Sequence, residues 1–346
     1  MHEYVKGSFH HILLLSFLKV EMSYLSLFSG IGRFEVAIHR LYGHRAVCVG
    51  YSEIDKHAIS EYIRHYPTHK NLGDVTQIKK KDIDALGKID LVVGGFPCSD
   101  LSSVRHKGRK GLDGDKSGLF WTMTKILYWV RKNNKDVQII IENNVSMAHK
   151  WRDMITEELS RVLHKRVYCN YFDSSQWVPQ RRRRYYWTLR KIPEYQGNPI
   201  QRLDELLIPV QQARAHILSE KMIQYINASP TYLASVKDGD VIVKTKNGQY
   251  TKRKVPYPTR LRVRTSSTTD TFIRCIDTTP HFLLDYRISS KQMLFIPRYL
   301  TKQELSGLFG YSCEYVLAGA RKIYSRLYGM SVVPETIMYV LHHLDV

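Results

Sequence analysis

Cysteine is scarce and scattered. Five cysteines stand at positions 48, 98, 169, 275 and 313, and no two have the spacing of metal ligands. An odd count at such intervals argues against a disulfide framework and against a zinc site, and for a reducing compartment. Long apolar runs are missing as well. Ile12–Leu18 is far too short to span a bilayer, and no small-residue cleavage site follows it, as a signal peptide requires. The expectation is an intracellular, non-secreted protein with no membrane partner and no metal. Acidic residues are few: 32 Asp and Glu against 52 Lys and Arg leave a formal net charge of +20. That imbalance points to a polyanionic partner, most simply nucleic acid, the alternative being a solvated basic surface. No internal repeat is visible.

The chain does have a core's worth of apolar residues, 43% of its 346, enough for one large domain with a smaller appendage. From Tyr24 to about Arg190, apolar runs alternate with amphipathic segments. Strands are expected at Tyr24–Phe28, Ala46–Tyr51, Ile89–Gly94 and Val137–Ile141. Helices are expected at Arg33–Leu41, Lys56–His65, Leu119–Arg131 and Trp151–Leu163. Alternation of this kind implies an α/β fold with a mostly parallel, doubly wound sheet. From 193 to 297 the chain turns basic and hydroxyl-rich. Lys237–Arg264 alone holds nine Lys or Arg and two Asp. A smaller domain of strands and loops is expected there. Helical periodicity returns from Thr301 to about Leu344. The expected organisation is an extension over 1–21 (outside the domain, or a product of start-codon choice, since Met22 precedes the first strand), a main α/β domain over 22–192, a smaller basic region over 193–297, and a return to the main domain over 298–346.

Ligands of open α/β sheets bind beyond the carboxyl ends of the strands. After the first expected strand comes the glycine turn Ser29-Gly30-Ile31-Gly32; after the second, Glu53; after the third, Pro97 and Cys98; after the fourth, Glu142 and Asn143. Each has a plain reading. A glycine turn often only tightens a strand–helix junction, Glu53 alone is an ordinary surface carboxylate, a buried cysteine is usually an inert small hydrophobe, and Asp74 can simply cap a turn. A carboxylate ending an apolar strand, as Glu142 does, is harder to dismiss, because it must be paired or perturbed. The convergence on one sheet edge outweighs any one of them. The turn lacks the full glycine pattern of a dinucleotide fold, which disfavours an oxidoreductase.

In this order the motifs resemble the DNA cytosine carbon-5 methyltransferase family, from about Tyr24 to Leu341 apart from the basic segment. LFSGIG at 27–32 is similar to the family's S-adenosylmethionine loop, Glu53-Ile54-Asp55 to its ribose and adenine segment, and Gly73-Asp74-Val75 to its adenine-contacting motif. GGFPCSDLS at 94–102 resembles the nucleophile loop and continues through Arg109-Lys110-Gly111-Leu112 to Ser117-Gly118-Leu119-Phe120. Glu142-Asn143, Gln180-Arg181-Arg182-Arg183-Arg184, Arg298-Tyr299-Leu300-Thr301 with Glu304, and Gly329-Met330-Ser331-Val332 complete the series. Three positions depart from the usual pattern: Ser99 where many members have Gln, Asn144 where Val is usual, and Met330 where bacterial members have Asn.

The resemblance implies a Rossmann-like, S-adenosylmethionine-dependent enzyme in which Cys98 attacks carbon 6 of a flipped cytosine and Glu142 engages ring nitrogen 3 and the exocyclic amine. It implies that Arg182 or Arg184 anchors the base's carbonyl oxygen or the Cys98 loop, without saying which does which. Phe28, Ser29, Gly30, Gly32, Glu53, Ile54, Asp74, Val75, Pro97, Ser331 and Val332 are implied as the S-adenosyl-L-methionine contacts. Contacts to double-stranded DNA are expected from Ser99, Arg105, Lys107, Arg109, Lys110, Lys252, Arg253, Lys254, Arg260, Arg262 and Arg264, with the protein a monomer on DNA. A free thiol has a pKa of about 8.5, so the loop must assist its ionisation, with Arg105 or Lys107 as candidates. The alternatives are a transfer-RNA cytosine methyltransferase on the same scaffold and a catalytically dead DNA-binding homologue.

Overall fold

The computed structural model describes residues 22–101, 111–197, 203–208, 212–213, 215, 240–244, 250–254, 266–267, 273–274, 282–289, 292–312 and 315–346, with only the backbone for 203–204 and for the described residues between 240 and 297. The expected extension over 1–21 and the basic residues Arg105, Lys107, Arg109, Lys110, Arg260, Arg262 and Arg264 lie outside the described residues.

The central sheet has six strands in the order β2-β1-β3-β4-β7-β5. Its members are β1 (Met22–Leu27), β2 (Ala46–Ser52), β3 (Leu91–Gly94), β4 (Gln138–Asn144), β5 (Tyr168–Asp173) and β7 (Arg183–Thr188). The first four run parallel, and β7 lies antiparallel between β4 and β5. Both faces are covered, so the strands alternate between two apolar cores. Tyr24, Leu91, Val93 and Ile140 enter one core, and Leu25, Leu27, Val92, Ile139 and Ile141 enter the other. The first core is closed by α1 (Glu35–Tyr42), α2 (Lys56–His65) and, near the end of the chain, α8 (Arg321–Gly329) and α9 (Pro334–His342). The second is closed by α4 (Leu119–Asn133) and α5 (His149–Leu163). The short helix α3 (Lys80–Asp84) precedes β3.

Expected boundaries shift by one to three residues: β1 starts at Met22 and ends at Leu27, α1 starts at Glu35 and α5 at His149. The apolar run of β4 ends at Ile141, but the strand continues to Asn144, because Tyr186, Tyr185 and Arg184 of β7 pair with Glu142, Asn143 and Asn144. Glu142 therefore lies within a strand, not after one. β3 begins at Leu91, two residues later than its apolar run.

Of the basic region, the backbone of a second sheet is described, with order β10-β12-β13-β8-β9. Its strands are β8 (Asp240–Lys244), β9 (Tyr250–Lys254), β10 (Ser266–Ser267), β12 (Phe282–Ser289) and β13 (Gln292–Tyr299). β9, with Lys252, Arg253 and Lys254, is an edge strand. β11 (Ile273–Arg274) pairs with β6 (Gln180–Arg181). At the return of the chain, a fully buried bidentate pair joins Arg298 to Glu304 at 2.7 and 2.8 Å. Glu304 also completes a capping box with Thr301 at the start of α7 (Lys302–Leu308), and it accepts from the Ile208 amide, just after α6 (Leu203–Leu206).

Candidate active site

β1 pairs with β2 on one side and β3 on the other, so the direction of winding reverses between β1 and β3. A crevice beyond their carboxyl ends follows from that reversal. The loop after β1 bends sharply there: Phe28, Gly30 and Gly32 all have positive φ, at 54°, 60° and 83°. Phe28 is the exception among them, since a side chain disfavours this conformation. A Cβ on Gly30 would meet nothing closer than the Arg33 side chain at 3.9 Å, so the loop backbone there is open to a ligand. The Ser29 side chain is turned inward, its hydroxyl donating to Ser26 O at 3.1 Å.

Glu53 follows β2. Its carboxylate accepts the amides of Gly30, Ile54 and Asp55, each at 2.8 Å. Three donors fix its orientation and leave lone pairs for a hydroxyl. Beside it Ile54 is 66% exposed, an apolar side chain with no apolar cover. An open backbone turn, a fixed carboxylate and an uncovered aliphatic side chain together suit a nucleoside: the carboxylate for ribose hydroxyls, the aliphatic group for a base. Asp74 caps the turn it begins, accepting from the Thr76 amide and hydroxyl at 2.8 Å, while Val75 is buried.

The loop after β3 carries Pro97 and Cys98. The Asn143 side chain donates to Phe96 O at 3.0 Å, which ties the loop to β4. The Ser117 hydroxyl donates to Pro97 O at 2.8 Å, and the Asp100 carboxylate accepts the amides of Lys116 and Ser117 at 3.1 and 2.9 Å. The Ser99 hydroxyl is buried with no partner among the described residues. Burial pushes the Cys98 thiol up, and the Glu142 carboxylate pushes it further. Arg184, the amide of Cys98 and Arg182 pull it back. The thiol is thus subject to the field of one carboxylate and two guanidinium groups.

Glu142 and Arg184 form a buried pair, with Arg184 Nε 2.9 Å from Glu142 Oε1. Glu142 Oε2 lies under Gly95, where a Cβ would come within 2.6 Å of it. Arg182, just before β7, is also buried. Its guanidinium grips the carbonyls of Gly329 and Ser331, the former at 2.9 Å, and lies over Phe309 at 5.0 Å. The structure therefore separates two arginines the sequence could not: Arg184 belongs to Glu142, Arg182 to the C-terminal segment. In that segment the Ser331 hydroxyl pairs with Tyr311 and Val332 is fully buried. Their side chains are committed to the protein, and Met330, 39% exposed, is the outward one.

Sequence reasoning missed three residues. Asp100 and Ser117 brace the turn after β3, and Arg33 donates to Phe28, Gly95 and Met330 carbonyls. Asp100 and Ser117 stand inside the motifs quoted above without a role of their own, and Arg33 stands directly after the glycine turn. Among the described residues no group of His, Cys, Asp or Glu is placed to hold a metal, and no helix is long and apolar enough to cross a membrane.

The family model described as C-5 cytosine-specific DNA methylase matches residues 22–345. Over 105 residues the chain is 41% identical to the orphan methyltransferase M.SPRI of Bacillus phage SPR, covering 30% of this chain and 23% of that protein. Over 167 residues it is 32% identical to the type II methyltransferase M2.BsuMI of Bacillus subtilis, covering 47% and 40%. The matched stretches thus span well under half of these relatives. The structure of the Entamoeba histolytica methyltransferase EhMeth superimposes with a TM-score of 0.69 at 14% identity, over 93% of this chain and 97% of that one, a likeness of fold.

Proposed function

Because the chain belongs to the C-5 cytosine-specific DNA methylase family, we propose that it transfers a methyl group from S-adenosyl-L-methionine to carbon 5 of a cytosine flipped out of double-stranded DNA. The observation that carries this reading is the Cys98 loop held against the Glu142–Arg184 pair, with Gly95 over Glu142 Oε2 and Phe96 O bound by Asn143, at the sheet edge that also holds the glycine turn and Glu53.

Carbon 5 of cytosine is a poor nucleophile. Addition of the Cys98 sulfur at carbon 6 breaks the ring's conjugation and places the electron pair on carbon 5. Glu142 stabilises that addition by engaging ring nitrogen 3 and accepting a hydrogen bond from the exocyclic amine. Arg184 orients Glu142 and lies ready for the base's carbonyl oxygen. S-adenosyl-L-methionine, when bound, supplies an electrophilic methyl group. Phe28–Gly32, Glu53, Ile54, Asp74, Val75 and Pro97 would hold it, and the Met330–Val332 backbone would close beside them. Loss of the carbon 5 proton then re-forms the double bond as the carbon–sulfur bond breaks and Cys98 is freed. No side-chain base is assigned to that proton, and water serves.

Flipping is required because both ring carbons are shielded in a stacked duplex. The net charge of +20 and the basic strand β9 supply affinity for the backbone. The divisions at 22–192, 193–297 and 298–346 follow as catalytic, recognition and returning parts, although β13 runs through the last boundary.

The test is transfer of radiolabelled methyl groups to duplex DNA and to RNA. DNA labelling that is lost in Cys98→Ser, together with a covalent adduct on 5-fluorocytosine DNA, is expected. Labelling of RNA alone would replace DNA with transfer RNA as the substrate, and absence of any adduct would indicate a binding homologue.

A further inference from the structure

Arg33 takes no part in the scheme above, yet it lies beneath the whole site. It is 7% exposed, and no carboxylate lies within ion-pair distance among the described residues, although its charge is felt by the buried Glu35. Its Nη2 donates to Phe28 O at 2.6 Å and to Gly95 O at 2.9 Å, and its Nη1 donates to Met330 O at 2.7 Å. These carbonyls belong to the loop after β1, the loop after β3 and the segment between α8 and α9. The carbonyls on either side of Met330 are held by Arg182.

A buried guanidinium without a carboxylate is costly unless its donors find strong acceptors. Here three carbonyls take Nη1 and Nη2 and are fixed by them, while the buried Nε has no partner among the described residues. Phe28 is held in a left-handed conformation that a non-glycine residue adopts only when its surroundings impose it. Its carbonyl is one end of the fork. Gly95 is the other end: a Cβ there would come within 3.0 Å of Arg33 Nη2 and 2.6 Å of Glu142 Oε2. One nitrogen atom thus joins the turn that faces the nucleoside to the backbone that precedes Cys98 and covers Glu142.

We propose that Arg33 is a positioning residue that couples the two loops, so that occupation of the turn at Phe28–Gly32 sets the register of Gly95–Cys98. This rests on the reading of the first loop as the cofactor site and of Cys98 as the nucleophile. A lysine in its place presents one ammonium nitrogen, which can share its donors between two carbonyls as Nη2 does, but it lacks the second nitrogen that holds Met330 O.

Hydrogen exchange with and without S-adenosylhomocysteine separates this role from a merely structural one, using the full chain and its Arg33→Met and Arg33→Lys variants. In the unmutated protein, ligand should slow exchange in both 28–33 and 94–98. In Arg33→Met the first segment should still respond and the second should not. The variant's kcat should fall about 10–100-fold while its KM for DNA changes little. Arg33→Lys should recover part of both signals. Equal protection of 94–98 in Arg33→Met would overturn the proposal. So would loss of folding in both variants, which would make Arg33 a structural clamp only. Failure of the unmutated chain to bind S-adenosylhomocysteine would sink the underlying reading of the loop and the proposal with it.

Discussion

At Cys98 two opposite charges compete over one thiol. Burial and Glu142 hold it in the protonated form, and Arg184, its own amide and Arg182 oppose them. The direction of each variant follows from the charge removed. Glu142→Gln should lower the thiol's pKa and Arg184→Met should raise it. Alkylation of Cys98 by iodoacetamide, followed by peptide mass spectrometry across a rising pH series, reads both shifts, and a shared direction would refute the arrangement. Turnover should behave differently. Glu142→Gln makes a more reactive thiol yet should lose about 10²–10⁴-fold in rate, because the carboxylate proposed to engage nitrogen 3 is gone. Cys98 was legible in the sequence because its motif is local. The split between Arg182 and Arg184 was not. They stand two positions apart in one basic run, and what separates them is their partners, Gly329 and Ser331 for one and Glu142 for the other.

Among elements, the turn after β3 depends on side chains that come from beyond the next loop. Asp100 receives two amides of the 116–117 turn, and Ser117 returns a hydrogen bond to Pro97. Asp100→Ala should cost about 1–3 kcal/mol of stability and lower kcat more than it alters the KM for cofactor. Chemical denaturation and steady-state kinetics measure the two. At α1 the buried group is Glu35, whose carboxyl is raised above its free value of 4.5 by burial, against the hydrogen bond from Tyr62. Between pH 4.5 and that raised value it is protonated when folded and ionised when unfolded, so unfolding releases a proton. Stability therefore falls as pH climbs through this window, by at most about 1.4 kcal/mol per pH unit. Glu35→Gln should flatten that decline, and melting temperatures of both proteins at about pH 5 and about pH 7 measure it. Elements of this domain were readable because buried parallel strands are continuous apolar runs. Helix α2 falls at Lys56–His65, as its periodicity and the Asp55 cap require. The end of β4 was not readable, because it is set by pairing with β7, a strand far along the chain with α5 and β5 in between.

Over the whole molecule the excess of 20 positive charges is spread unevenly, and the basic run at 252–254 falls on β9, the edge of the second sheet. Two physical roles compete for that strand. Charge on an edge strand prevents pairing with another chain, and charge facing DNA displaces counterions. A variant with Lys252, Arg253 and Lys254 all changed to alanine separates them. If the strand lies on DNA, the slope of log affinity against log salt concentration should become shallower by about 0.9 for each phosphate the variant no longer neutralises, up to about 2.7 for three. The protein should then remain monodisperse. If the charges only guard the edge, the slope should stay as it was and the variant should self-associate. Fluorescence anisotropy of a labelled duplex across a potassium chloride series gives the slope, and light scattering on the same samples gives the association. An unchanged slope in a monodisperse variant would remove β9 from the DNA interface and leave the surrounding basic segment to account for binding.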